Sequence, residues 1–589
     1  VCGIFGVRLA WLAQQGGDVD ARLQRALDAL GWRGRDSASV VKLGDFALGC
    51  ARLAITNGKS HQPVSLRGGR LVGALNGAVT NARALWSETR PRAARRALPN
   101  DAWLPMLLVS QRGAEALDEL LGHHAAVVCD AESDAWWAAR DAFGEKPMFV
   151  LRERGEPVAV ASTIPALRAL GASFRLSRPA VQRFFRYGAT GALEHEEGER
   201  QVVEEARGFG IAGPSAPSDR ALPFAMALQR AVARCADCEP RLGMFLSGGV
   251  DSSCLAAELT RQGRRVRAYQ FQADGEPADE RELAQRVAAR CGHDLARVGG
   301  GPEALDALAA LTAMWGLPLG DPSVLAAHAV AVAAARDGVR VLLSGEGADE
   351  LLFGYARHRA IARMPSFRLP LPGSASWSMR RFARTLRALS ARHPYEALLE
   401  VTPPAFRAEV LGIGTEDDDR CAPSLAADGS QLRGGDATSR LLHAAAVDRA
   451  FYLRSDLLPK LDVATMAAQV EGRCPFLDRE VAAAADAIAP LERLGKRPLR
   501  KAYADALPPE VFAQRKRGFS LPLDRWFRGE LPMLDLLRDA QTRQRSHLRA
   551  AGLDRAIDLH RSGACDLGHA LYLVAAFETW LRTEDARCA

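Results

Sequence analysis

Leu242-Gly-Met-Phe-Leu-Ser-Gly-Gly-Val-Asp-Ser-Ser253 decides the fold. Apart from Gly243, residues 242–246 are an apolar run, long enough for a short buried strand. Ser247-Gly-Gly249 then turns tightly, and Cys254-Leu-Ala-Ala-Glu-Leu259 starts a helical pattern. A strand, a glycine turn and a helix start together make an anion site. Gly248 and Gly249 let backbone N–H groups approach a phosphate closely, and the helix N-terminus adds its positive end. Ser247, Ser252 and Ser253 add hydroxyl donors. Asp251 is an odd neighbour for phosphate unless Mg²⁺ lies between them. No Gly-Lys-Ser/Thr follows, so this is not a Walker loop. For Ser-Gly-Gly alone an ordinary strand-to-helix turn serves as well; the seven residues from Ser247 to Ser253 after a strand argue against it.

Downstream, strand and helix patterns alternate. Residues 265–271 read as a strand, 279–290 as a helix and 339–343 as a second clear strand. Such alternation argues for a parallel sheet covered by helices, with ligands at the carboxyl ends of the strands. A second strand end carries Ser344-Gly-Glu-Gly-Ala-Asp-Glu350. Three carboxylates facing a triphosphate would repel it, so Mg²⁺ is implied again, with Asp251 and Asp349 as its ligands. Upstream, a helix over about 223–238 leads into the loop. Residues 171–222 hold an acidic run (Glu194-His-Glu-Glu197) and Gly213-Pro-Ser-Ala-Pro217, which is linker composition. The end of the chain, 553–581, reads as packing helix.

A chain of 589 residues accommodates two or more domains. With 48% hydrophobic and 25% charged residues it has an ordinary globular composition. No apolar run reaches the roughly 18 residues of a membrane span, and Val1-Cys-Gly-Ile-Phe-Gly-Val7 lacks the basic start of a secretory signal. The formal charge of +7 is dispersed; clusters such as Arg380-Arg-Phe-Ala-Arg384 read as solvated faces, with no nucleic-acid motif beside them. Eleven scattered cysteines fit reduced thiols in a cytoplasm better than a disulfide framework. Cys235-Ala-Asp-Cys238 is a lone pair without a second pair at zinc spacing, and reads as two small apolar residues on a helix.

Cys2 is the other unusual residue. Once the residue before it is removed, a cysteine here carries its own base, the α-amine, beside its thiol, a complete nucleophile in one residue. Cys2-Gly-Ile-Phe-Gly6 continues as an apolar strand start. Further along come Arg33-Gly-Arg-Asp36, Arg52-Leu-Ala-Ile55, His61-Gln-Pro63, Leu75-Asn-Gly-Ala78 and Arg140-Asp-Ala-Phe-Gly-Glu-Lys-Pro147. Together these resemble the glutaminase domain of the asparagine synthetase family over residues 2–170. The loop at 247–253 resembles the pyrophosphate loop of enzymes that cleave ATP to AMP and pyrophosphate. With it, Asp321-Pro-Ser323, Leu457-Leu-Pro-Lys-Leu-Asp462, Glu471-Gly-Arg-Cys-Pro-Phe-Leu-Asp478, Lys496-Arg-Pro-Leu-Arg500 and Arg515-Lys-Arg-Gly-Phe-Ser-Leu-Pro522 extend the resemblance to the same family over 223–530.

The resemblance implies an N-terminal-nucleophile αββα sandwich followed by a parallel-sheet α/β ATP-pyrophosphatase domain with a helical C-terminal part. It sets a glutaminase-like domain at 1–175, a linker at 176–222 and an ATP-dependent amide-forming domain at 223–589. By it Cys2 attacks the glutamine amide, Asn76 and Gly77 form the oxyanion hole, and Arg52 and Asp101 hold glutamine's carboxylate and amine. Leu246, Phe271, Ser344 and Gly345 line the ATP site, Glu346 lies where the adenylate reacts, and Lys496 stabilises charge on the phosphate and the tetrahedral carbon.

Four positions depart from the family pattern, among them Trp32 in place of a His. Residue 78 is Ala where the family has a glutamine-binding Glu; losing one charge-assisted hydrogen bond costs roughly 1.5–3 kcal/mol, about tenfold to hundredfold in affinity. Arg35 replaces a Pro and Thr163 a Glu. The glutaminase is therefore either weak or mainly structural. Two enzyme readings follow, both with ATP and Mg²⁺. One is a peptide macrolactam synthetase of the lasso-peptide branch, an asparagine synthetase-like body with a degenerate glutaminase domain, taking a precursor peptide. The divergent 365–450 region, with loops expected at 369–374 and 416–419, accords with it. The other is a glutamine-hydrolysing asparagine synthetase, taking aspartate. Glu346 separates the chain from β-lactam-forming relatives, which carry Tyr there. A scaffold retaining only the fold is a third reading. Neither a nucleic-acid nor a membrane partner is expected, and the sequence fixes no oligomeric state, homodimer or partner protease.

Overall fold

The computed structural model describes residues 2–55, 61–89, 100–173, 175–191, 193, 201–205, 208–209, 222–237, 241–274, 279–365, 377, 381–413, 435–513 and 521–588. The loops expected at 369–374 and 416–419, the acidic run at 194–197, Cys238 and residues 515–520 lie outside them.

Two antiparallel sheets build the N-terminal part. The first has six strands, in the order Gln201–Glu205, Phe149–Glu153, Glu156–Ala161, Cys2–Arg8, Phe46–Arg52 and Ser37–Leu43. The second has five, in the order Gly208–Phe209, Ala135–Arg140, Gly122–Asp130, Leu71–Val79 and Val64–Leu66. Strand side chains alternate between faces. Cys2, Ile4, Leu48 and Cys50 thus meet Val72, Ala74, Val127 and Cys129 in one buried layer between the sheets. On the outer faces Phe5 and Val7 pack under the helices Val19–Ala29 and Ile164–Leu170, and Leu71 and Leu75 under Trp103–Arg112. This is the expected four-layer sandwich.

The second part is a five-stranded parallel sheet in the order Asp294–Gly300, Arg267–Ala273, Arg241–Phe245, Val339–Leu343 and Glu471–Arg473. Helices Phe224–Ala236, Val250–Arg261 and Asp279–Cys291 cover one face, and Ser323–Arg336 and Leu458–Ala467 the other. The chain starts this sheet at Arg241–Phe245, adds two strands on one side, then returns to add two on the other. The order reverses between Phe245 and Leu343, which places a crevice at those two carboxyl ends. Helices make up the C-terminal remainder. The last, Gly568–Cys588, is anchored by Trp580 Nε1 donating to Gly316 O (3.0 Å) and Tyr572 OH to Leu319 O (3.1 Å).

Two sequence expectations change. The stretch read as linker, 176–222, holds a helix at Arg178–Tyr187 and the edge strands Gln201–Glu205 and Gly208–Phe209. Ser177 caps the helix by accepting from Ala180 N–H, Pro179 occupies its first turn and Gly188 ends it. Its Phe184 and Phe185 pack on Phe577 of the last helix. The basic cluster near 380 is not wholly solvated, because the Arg384 guanidinium donates to Leu398 O. No helix among the described residues is long and apolar enough to cross a membrane.

Candidate active site

A cavity of about 760 Å³ opens at the sheet's switch point, and both strand-end motifs face it: Ser247, Gly249, Asp251 and Ser252 from one, Ser344, Gly345, Glu346 and Asp349 from the other. Ser247 and Ser252 hold the first turn together, with Ser252 Oγ accepting from Ser247 N–H (3.3 Å). The helix Val250–Arg261 starts there, so its N-terminal N–H groups border the same space. Phe245 lines the cavity, whereas Leu246, Gly248, Ser253 and Phe271 are not among its described lining residues. Leu246 and Ser253 are fully buried behind it.

Lys496 is likewise not among the described lining residues, but it touches two that are, Asp251 and Asp349. Its Nζ lies 2.6 Å from both Asp251 carboxylate oxygens and 2.7 Å from Asp349 Oδ1. Its backbone adopts a left-handed conformation (φ 62°), fixed by its N–H donating to Leu352 O (3.1 Å) and Arg493 O (2.9 Å). Gly354 makes the arrangement possible, since a Cβ there would stand 1.9 Å from Asp349 Oδ1 and 2.1 Å from Lys496 Cε. Two carboxylates converging on one ammonium are already placed to share a cation. That donor set fits Mg²⁺, which takes one or two protein carboxylates and fills its other positions with water and phosphate oxygens. Among the described residues no cluster of three or more ligating side chains competes as a metal site. Replacing Lys496 with Ala is expected to slow amide formation by orders of magnitude, about the 10²–10³-fold or more seen when one preorganised donor is removed. Single-turnover product formation checks this, and a wild-type rate would take Lys496 out of the site.

The structure adds a residue that no role was assigned to from sequence. Lys460, from the helix Leu458–Ala467, donates to Glu346 Oε1 (2.9 Å) and lies 3.5 Å from Asp321 Oδ2. Burial pushes its ammonium down, but Glu346 and Asp321 outweigh that and raise it. Tyr355 and Tyr452 complete this wall. Both Asp321 and Lys460 stood inside quoted motifs; they are 139 positions apart, and their convergence carried no local signal.

The sandwich assembles the other predicted site. Cys2 pairs with Arg52 across adjacent strands. Its main-chain N–H donates to Asn76 Oδ1 (3.2 Å), and Gln62 Nε2 donates to its Sγ (3.5 Å). Burial pushes the Cys2 thiol up; a hydrogen bond from Cys50, the amino-terminal charge and Arg52 outweigh it and bring it down to about 7. Asn76 is fully buried, and its Nδ2 has no partner among the described residues, which leaves a donor for an oxyanion. Gly77 has φ 108°, and a Cβ there would stand 2.0 Å from His123 O. Asp101 Oδ2 accepts from Val79 N–H (3.0 Å), and burial raises its carboxyl. Cys2, Asn76, Gly77 and Arg52 therefore converge, with Asp101 beside Val79 at the end of the strand Leu71–Val79 that carries Asn76 and Gly77. Gln62 is the participant to which the sequence reading assigned no role.

The family model described as asparagine synthase matches residues 224–582, well over half of the chain. The chain belongs to the asparagine synthase family. A second model, described as a glutamine amidotransferase domain, matches residues 1–199. A Mycobacterium tuberculosis protein named provisionally as a glutamine-hydrolyzing asparagine synthetase is 28% identical, covering 96% of this chain and 94% of its own. The Bacillus subtilis protein named asparagine synthetase [glutamine-hydrolyzing] 1 is 22% identical, covering 98% and 96%. A Penicillium rubens protein named as an amidase is 24% identical, covering 86% of each.

In this asparagine synthase family member the two parts are joined through buried charge. Arg33 makes a two-pronged pair with Asp462 (2.7 and 3.0 Å) while its Nε donates to Cys2 O (3.3 Å). Lys146 lies 3.5 Å from the same carboxylate. His123 Nε2 meets Glu471 Oε1 at 2.7 Å, and Arg473 donates to the other Glu471 oxygen (2.9 Å). Burial pushes His123 down to about 4, so its imidazole is neutral near pH 7 and donates to a carboxylate that Arg473 keeps charged. The Arg33 motif, quoted for its resemblance to a glutaminase, is thus also the interface. Asp462 lies two residues beyond Lys460, so one helix serves both the interface and the cavity.

Proposed function

We propose that the chain is an ATP-dependent amide ligase that adenylates a peptide carboxylate, releases pyrophosphate, and couples the acyl adenylate to that peptide's own amine, closing a macrolactam. The observation that carries the ligase reading is the convergence of 247–252 and 344–349 on one cavity. Its volume lies in the upper part of the range of about 300–1,000 Å³ usual for small-molecule sites, and it extends past Glu346 to Leu521, Arg525 and His569. That extent and Ala78 support a donor larger than a free amino acid and an amine other than glutamine-derived ammonia.

In the proposed reaction the donor carboxylate attacks the α-phosphate of ATP and pyrophosphate leaves. The amine then attacks the acyl carbon, AMP leaves, and one proton is released. Ser247, Ser252 and the N–H groups opening the helix Val250–Arg261 hold the phosphates; Glu346 faces the reacting carbon. Asp251 and Asp349 would hold Mg²⁺, which when bound offsets phosphate charge. Lys496 turns from these carboxylates to the phosphate. Its four-carbon stem permits that movement while the backbone stays pinned.

A second reading, glutamine-hydrolysing synthesis of asparagine from aspartate, is favoured by a specific arrangement: the lowered Cys2 thiol beside the unpartnered Asn76 Nδ2. A small space of about 30 Å³, lined by Phe149 of the sandwich and Trp315, Asp456 and Lys460 of the other part, is of a size for one small molecule. Product mass spectrometry with ATP, Mg²⁺ and aspartate, comparing glutamine with ammonium, separates the readings. The proposal expects no asparagine from either source and loss of one water from a precursor peptide. Asparagine made from glutamine would establish the second reading.

A further inference from the structure

We propose that Lys460 binds the carboxylate that is to be activated. This rests on the adenylation reading above and names the residue that makes the cavity accept an anionic donor. The described wall is strongly acidic, with Asp251, Asp321, Glu346 and Asp349 all facing the space. A donor carboxylate approaching Glu346 meets like charge there, and between partly buried groups such repulsion is only weakly screened. A cation beside Glu346 is needed to hold the donor against it.

The described cations at the cavity differ in what engages them. Lys496 lies behind the wall, clamped between Asp251 and Asp349. Arg528 pairs with Asp566 and donates to His560 O (3.3 Å). Arg525 lies on the outer wall, its guanidinium 3.5 Å from Asp274 O. Lys460 alone among these adjoins Glu346. An ammonium has three donors. One is committed to Glu346 at 2.9 Å, while the 3.5 Å contact to Asp321 lies outside the usual range of a good hydrogen bond. A donor carboxylate can take that position without breaking the Glu346 bond. The side chain is 8% exposed, so the pair would form largely out of water. Holding the carboxylate there sets it beside Glu346, on the second strand-end loop.

The test is carboxylate-dependent ATP–pyrophosphate exchange by the full-length chain, with L-aspartate and, separately, an Asp-containing linear peptide as donors. Lys460→Met keeps the apolar stem and removes the charge. A charge-assisted hydrogen bond contributes about 1.5–3 kcal/mol, so the donor KM should rise about tenfold to 150-fold, with the KM for ATP unchanged. A residue that only positioned Glu346 would lower kcat and leave the donor KM alone. Lys460→Arg should restore most of the donor affinity that Lys460→Met loses; should Lys460→Met fail to fold, Lys460→Gln, which also removes the charge, carries the test with the same expected rise in donor KM and unchanged KM for ATP. An unchanged donor KM, or equal shifts for donor and ATP, would overturn the assignment. Wild-type protein that exchanges with neither donor would instead overturn the adenylation reading itself.

Discussion

Asp251→Asn is expected to end carboxylate-dependent pyrophosphate release while the protein stays folded. The substitution keeps the shape and removes one charge. Lys496 retains its ion pair to Asp349 at 2.7 Å, so no buried ammonium is left without a partner. The fold around it is held by apolar contacts of Leu255, Leu259 and Leu351 that the substitution does not touch. What is lost is half of the carboxylate pair that shares a cation. An amide oxygen is a far weaker ligand for Mg²⁺, which prefers carboxylates and phosphate oxygens. The loss should reach at least the 10²–10³-fold typical of removing one preorganised electrostatic group. A pyrophosphate-release assay measures it, and an unchanged thermal unfolding midpoint confirms folding. Normal turnover in Asp251→Asn would remove the Mg²⁺ assignment.

Local pattern and global order were not equally readable. The loop at 247–253 and the turn at 344–350 announce themselves because each packs a strand end, glycines and ionisable groups into seven residues. The alternation between them carries the parallel sheet, and its chain order predicts a switch point where both motifs lie. The sandwich was legible only through resemblance, since its strands are short and their pairing is long-range. The helix Arg178–Tyr187 was missed although its signals are present, Ser177 before Pro179 and Gly188 at the end. The linker-like text of 194–217 outweighed them.

Interactions between distant segments lie beyond such reading. Arg33 and Asp462 are 429 positions apart, and nothing in either motif names the other. Yet the pair is fully buried, and breaking a buried pair by removing one partner costs about 3–5 kcal/mol. Its geometry also explains why an interface residue sits in the glutaminase motif: the same guanidinium holds the Cys2 carbonyl. Lys460 shows the same limit on the other side. Its neighbour Glu346 comes from a strand end and Asp321 from a turn, so only the folded sheet shows that the three share a wall.

If the sandwich hydrolyses glutamine, Cys2→Ala should abolish that hydrolysis and leave pyrophosphate release with a supplied amine intact. Only the thiol group is removed, and the cavity lined by Asp251 and Glu346 belongs to the other part. The wild-type thiol supplies the sharper observable. Held near 7 rather than the usual value of 9.0, it becomes thiolate as pH rises through about 7. Alkylation of Cys2 by iodoacetamide should therefore accelerate between about pH 6 and 8 and level off above, about two units below the usual value of 9.0. Cys50→Ala removes one of the groups that lower it and should move that midpoint upward. Glutamine hydrolysis should follow the same pH curve on its acidic side, because the thiolate is the attacking species. If Cys2→Ala hydrolyses glutamine at the wild-type rate, Cys2 is not the nucleophile. If neither form hydrolyses it, while alkylation still titrates near 7, the defect lies in glutamine binding. Ala78→Glu should then restore hydrolysis, since a carboxylate on the strand Leu71–Val79 returns the ion pair that a substrate ammonium requires.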